Sequence, residues 1–122
     1  MPKTVMTVDD SATIRQNVSF VLEDAGYEIV EAVDGKEAFD KIQANPVDLV
    51  ISDVHMPNMN GIELTKAIRA HAPTKFTPVV LLTTESQPEK KMEGKAAGAT
   101  GWIVKPFQPE QLLTVVKKLC PL

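Results

Sequence analysis

Residues 48–53 read Asp48-Leu49-Val50-Ile51-Ser52-Asp53, and the chain continues Val54-His55-Met56-Pro57-Asn58-Met59-Asn60-Gly61. The first stretch decides the fold. Leu49, Val50 and Ile51 are consecutive and apolar, where a strand with one wet face would alternate. Asp48 to Ser52 is therefore read as a strand covered on both faces. Pro78 to Thr83, with Val79, Val80, Leu81 and Leu82, is a second of the same kind. Strands buried on both sides belong to parallel sheets, whose crossover connections place helices above and below.

Working outward, Thr4 to Val8, Tyr27 to Ala32 and Gly101 to Val104 are short β-branched and apolar runs, and so strands. Helical patterns fill the gaps between strands. Ser11 caps a helix with Ile14, Val18, Val21 and Leu22 on one face, and Gly26 ends it. Asp34, with Glu37 three residues on, resembles a capping box. It opens a helix carrying Ala38, Phe39 and Ile42, which Pro46 stops. Residues 53–60 form a loop, and Gly61 to Ala70 a helix with Leu64 and Ile68 inward. Pro88 to Ala97 is a weaker helix whose apolar face is alanine and Met92. Gly94 in its middle costs ~1 kcal/mol relative to Ala. Pro109 starts a last helix with Leu112, Val115, Val116 and Leu119 inward, and Pro121 closes it. The order is βα five times. That predicts one α/β domain over residues 1–122, an open, doubly wound, five-stranded parallel sheet. Five strands are too few for a closed eight-stranded barrel.

Composition narrows the function. The 122 residues are 43% apolar and 24% charged, ordinary for a globular chain. Thirteen Lys and Arg against sixteen Asp and Glu leave a net charge of −3, a poor field for nucleic acid. Cys120 is the only cysteine, which excludes an internal disulfide and a Cys-based zinc site. The longest apolar run, Val79 to Leu82, is far short of a membrane span. Asp9 and Asp10 interrupt the first apolar stretch, where a signal peptide needs continuity. The expectation is a cytoplasmic monomer without a membrane or nucleic-acid partner.

In an open parallel sheet, chemistry sits beyond the carboxyl ends of the strands. Asp9 and Asp10 follow the first strand, Asp53 the third. Thr83 and Thr84 end the fourth, and Lys105-Pro106 follows the fifth. Three carboxylates, a hydroxyl and an ammonium thus converge at one edge. Carboxylates so close repel one another, and Lys105 offsets one charge. A hard divalent cation such as Mg2+, which takes oxygen ligands, suits the remainder. A metal beside a carboxylate nucleophile is a site for phosphoryl transfer, with Asp53 as acceptor and Thr83 and Lys105 on the phosphoryl oxygens.

Four pieces carry a resemblance: Val8-Asp9-Asp10-Ser11, the run Ser52 to Gly61 around Asp53, Leu81-Leu82-Thr83-Thr84, and Lys105-Pro106-Phe107. Together, and in this order, they resemble the receiver domain of two-component response regulators, nearest the stand-alone CheY-like chemotaxis kind. The resemblance spans essentially the whole chain. It implies a flavodoxin-like sheet with strand order 2-1-3-4-5. It implies Asp53 as phospho-acceptor, and Mg2+ on Asp9, Asp10, Asp53 and the backbone carbonyl of His55. It also implies Thr83 and Lys105 on the phosphoryl group, and a cis Lys105-Pro106 bond. Thr83 and Trp102 match a switch pair that alters the surface of the fourth helix, fifth strand and fifth helix. The implied partners are a CheA-like histidine kinase and a flagellar motor switch protein or a phosphatase. The implied protein is not an enzyme acting on a separate substrate, but one that assists its own phosphorylation and dephosphorylation.

The chain departs from the family pattern at three places. Trp102 stands where Tyr or Phe is usual, and Thr84 where a small residue is frequent. His55 occupies a variable position that, with Glu85, tunes attack by water. A phosphorelay intermediate or phosphate sink would carry the same residues. A flavodoxin-like electron carrier is disfavoured, since Asp9 and Asp10 would repel a flavin phosphate. A haloacid-dehalogenase-type phosphatase is disfavoured too, since it needs Asp where His55 stands.

Overall fold

The computed structural model of the chain describes residues 3–83 and 88–122. Thr84 and Glu85, singled out above, lie outside the described residues. The elements run β1 (Thr4–Val8), α1 (Ala12–Asp24), β2 (Glu28–Ala32), α2 (Gly35–Ala44), β3 (Leu49–Asp53), α3 (Gly61–Ala70), a 3-10 turn (Ala72–Thr74), β4 (Val79–Thr83), α4 (Pro88–Ala97), β5 (Gly101–Val104) and α5 (Pro109–Leu119). The strands pair in parallel in the order β2-β1-β3-β4-β5. This is the doubly wound α/β architecture expected from the sequence, with the strand order the resemblance implied.

The sheet separates two apolar layers. Met6, Val50, Leu64, Ile68 and Leu81 pack on the side of α2, α3 and α4. Val5, Leu22, Ile51, Leu82, Leu112 and Val116 pack on the side of α1 and α5. Each strand feeds both layers because successive side chains alternate faces. The buried runs in β3 and β4 follow directly: all five residues of each are buried.

Local chemistry sets the element boundaries. Ser11 Oγ accepts the Ile14 N–H at 3.3 Å, and Asp34 Oδ1 accepts that of Glu37 at 2.8 Å. The expected box at α2 is displaced: Glu37 reaches back to the Val33 N–H at 2.9 Å. The reciprocal box forms instead at α3, between Asn60 and Glu63. Gly26 ends α1 with φ +105°, a conformation open to glycine.

Several details differ from the sequence reading. β3 starts and ends one residue later, so Asp53 is its last residue. Asp48, expected to begin it, accepts the Thr4 N–H at 2.8 Å with its carboxylate. Tyr27 precedes β2 and is buried, with its hydroxyl donating to the Cys120 carbonyl at 2.7 Å. Pro78 likewise precedes β4. The Ala72–Thr74 turn is an element that the sequence patterns do not mark. Thr74 is buried there and donates to the Ile68 carbonyl at 2.8 Å. Met92 does not face inward: it is 69% exposed, and Gly94 and Ala97 make the buried side of α4. A Cβ at Gly94 would lie 2.9 Å from Leu81 Cδ1 and 2.9 Å from Trp102 Cζ3, so the missing side chain lets the helix approach the sheet.

Candidate functional site

The carboxyl ends of β1 and β3 bring the acidic residues together. Carboxylate oxygens of Asp9, Asp10 and Asp53 all lie within 4.8 Å of one another. Asp9 and Asp53 are buried and Asp10 is exposed, so the cluster opens to solvent on one side. β1 and β3 are neighbours in the sheet, and Val8 pairs with Ser52. That register alone sets the residues that follow Val8 beside Asp53.

Lys105 enters from the end of β5. Its Nζ stands 3.2 Å from Asp9 Oδ2 and 3.2 Å from Asp53 Oδ1, bridging the two buried carboxylates. The Lys105 N–H donates to the Thr83 carbonyl at 2.8 Å, which anchors the segment after β5 to the end of β4. The Lys105-Pro106 bond is cis. Asp53 Oδ1 also accepts the Val54 N–H at 2.9 Å, and Asp9 Oδ1 accepts that of Ser11 at 2.9 Å. Arg15, which the sequence reading passed over, donates to the Asp9 backbone carbonyl at 2.7 Å and pairs with Glu31 at 3.0 Å. No spacing signal marks Arg15, because in a helical sequence one arginine looks like another.

The electrostatics are unbalanced. Three carboxylates against one ammonium leave −3 + 1 = −2 in the cluster. Burial pushes the Asp53 carboxyl above the usual carboxylate range. Lys105 pulls it down and Asp9 adds to the rise, but burial prevails. A dication would cancel this excess, and the donor set, all carboxylate oxygen, is what Mg2+ prefers.

The remaining sequence candidates fall nearby. Thr83 is fully buried at the end of β4 and pairs with Val104. His55 is exposed, two residues beyond Asp53. Trp102 is half-buried on β5 opposite Leu81, beside a groove of about 260 Å³ that Lys91, Lys95 and Thr100 also line. An apolar groove of about 620 Å³ adjoins the cluster through Lys105. Ile14, Phe20 and Val21 of α1 form one wall, Pro106 and Phe107 the other. Phe20 is 72% exposed there, although the sequence reading gave it no role. No helix among the described residues is long and apolar enough to cross a membrane.

Comparisons with known proteins agree with the fold. A family profile described as response regulator receiver domain matches residues 5–117. The chemotaxis protein CheY4 of Vibrio cholerae superposes with a TM-score of 0.93 at 55% identity, over 98% of this chain and 99% of that one. The signal receiver domain of a histidine kinase from Syntrophus aciditrophicus superposes with a TM-score of 0.90 at 32% identity, over 96% of this chain and 89% of that one. The phosphate regulon transcriptional regulatory protein PhoB of Pseudomonas aeruginosa is 36% identical over 115 residues, 94% of this chain and 50% of its own length. The chain spans about half the length of the curated relatives it matches.

Proposed function

The chain belongs to the receiver-domain family of two-component response regulators, and on that premise we propose that Asp53 accepts a phosphoryl group from a phosphohistidine of a histidine kinase. The observation that carries this is the bridge of Lys105 between the buried carboxylates of Asp9 and Asp53. It holds a carboxylate in a shielded, anionic pocket with an ammonium at hand. An Asp53 oxygen attacks phosphorus, a P–O bond forms and the P–N bond breaks. Its electron pair goes to the imidazole, which takes up a proton. Lys105 then exchanges part of its pairing with Asp53 for the new phosphoryl oxygens, and the Thr83 hydroxyl donates to one of them. In the return step water attacks phosphorus, the P–O bond to Asp53 breaks and inorganic phosphate leaves. The protein assists both steps and acts on no second substrate.

Asp9, Asp10, Asp53 and the His55 carbonyl would hold Mg2+. Bound there, it supplies the positive charge that lets an anionic phosphoryl group enter an anionic pocket. The apolar groove that Lys105 also lines supports a protein donor, because Phe20 stands exposed along it and Phe107 half-buried. Chemotaxis is the pathway the reading favours, supported by the 55% identity to a CheY protein of nearly equal length. The target is then a flagellar motor switch protein, met by α4, β5 and α5, with Thr83 and Trp102 as the switch. The protein works in the cytoplasm as a monomer.

Acetyl phosphate with Mg2+ tests the acceptor. Wild type should gain the mass of one phosphoryl group on Asp53, and Asp53→Asn should gain none. Trp102 fluorescence should change in the same order, on Mg2+ and then on donor. An unmodified wild-type chain with a competent donor would overturn the reading. A modified chain with silent fluorescence would remove only the role of Trp102.

A further inference from the structure

The segment from Val54 to Asn60 carries the His55 carbonyl, and its Val54, Met56 and Met59 rest on the core. His55 and Pro57 are exposed. Asn58 adopts φ +66°, and the Met59 N–H donates to the Pro57 carbonyl at 2.7 Å, closing a three-residue turn of a rare kind. The far side of the segment is tied to α2 instead. Asn58 Nδ2 donates to Asp34 Oδ2 at 2.8 Å, and the Gly35 N–H donates to the Met59 carbonyl at 3.1 Å. Gly35 is buried under Met59, where a Cβ would meet both its carbonyl and its side chain. Asp34 itself cannot wander, because Oδ1 is the cap of α2, held by the Glu37 N–H at 2.8 Å. The near end of the segment is fixed by the Val54 N–H on the Leu82 carbonyl at 3.0 Å and the Gly61 N–H on the Val54 carbonyl at 3.0 Å. His55 thus lies between two anchors, one on the sheet and one on α2.

We infer that the Asp34–Asn58 hydrogen bond positions the backbone carbonyl of His55 for a divalent cation. The inference rests on the metal reading of the acidic cluster. Neither residue contacts that cluster in the geometry above; both act through the loop. Outer partners that orient metal ligands typically change affinity by 10-fold or more when lost. Asn58→Gly removes the hydrogen bond while accepting the positive φ. Asp34→Asn keeps the helix cap, and a flipped Asn58 amide can still bond to it.

Free Mn2+, followed by electron paramagnetic resonance, reports affinity with no phosphoryl donor present. Asn58→Gly should bind Mn2+ about 10-fold more weakly than wild type. Asp34→Asn should stay within about two-fold of wild type, and each variant should still melt cooperatively in chelator, as a folded chain does. Equal binding by wild type and Asn58→Gly would overturn the inference. So would Asp34→Asn weakening as much as Asn58→Gly, since charge and not position would then be at work. Wild type binding Mn2+ no better than an Asp9→Asn, Asp10→Asn double variant would overturn the metal reading itself, and this inference with it.

Discussion

At the scale of single residues, Asp53 sits in conflict with the fold that holds it. Burial raises its pKa, with Asp9 adding to the rise, and Lys105 only partly offsets this. A carboxyl whose folded pKa exceeds its unfolded one stabilises the fold at low pH, in its neutral form. That stability is lost as pH rises through the folded value. Without metal at neutral pH, Asp53 therefore costs stability, and Asp53→Asn should melt higher than wild type, by roughly 4 °C for each ~1 kcal/mol regained. Below about pH 3, where the free carboxyl is protonated as well, the two should melt together. Chelated protein melted at both pH values checks this, and a less stable Asp53→Asn at neutral pH would contradict it. Asp34 runs the other way. The Glu37 N–H and then the Asn58 amide hold its pKa down, so its contribution is present at neutral pH and fades as pH falls through the lowered value. The acidic residues were legible in the sequence because they stand at or just beyond the carboxyl ends of strands. The Asp34–Asn58 pair was not, because it joins positions 24 apart that only the folded loop brings together.

At the scale of elements, α4 shows where sequence reading reaches its limit. Spacing located the helix between Pro88 and Ala97, but not its inward face. Met92, the one large apolar residue, points outward, and the buried position went to Gly94. Propensity counts that glycine as a cost. The packing makes it a requirement, since a Cβ would come within 2.9 Å of both Leu81 and Trp102. Leu81 is fully buried and cannot yield. Trp102 is half-buried beside an open groove and can. Gly94→Ala should therefore forfeit the ~1 kcal/mol that helix propensity offers. It should also push the indole outward, giving a red-shifted Trp102 emission and an unchanged or lower Tm. A gain of the full propensity value with unchanged emission would show that the helix simply shifts to make room.

At the scale of the whole molecule, topology was the most legible property, because βα alternation and two fully buried strands leave few arrangements. How firmly each helix is attached was not legible, since that depends on contacts between distant segments. α1, α2, α3 and α5 each bury residues such as Leu22, Ile42, Ile68 and Leu112 against the sheet. Among the described side chains of α4 only Gly94 and Ala97 are buried. Its C-terminal end is clasped by Arg69, whose Nη1 donates to the Thr77 carbonyl at 2.6 Å and Nε to the Gly98 carbonyl at 3.1 Å. With so few of its described side chains buried, such a segment opens at low free-energy cost. If Asp53 is phosphorylated, the ligand at the sheet edge can only shift an equilibrium the chain already has. The helix expected to respond is α4, whose buried described residues are only a glycine and an alanine. Deuterium exchange with and without acetyl phosphate and Mg2+ should therefore change most over residues 88–97 and 101–104, and little over 12–24 and 35–44. Asp53→Asn should show no change at either place. Phosphorylated protein whose exchange is unaltered across α4 would mean that the signal leaves the site by another element.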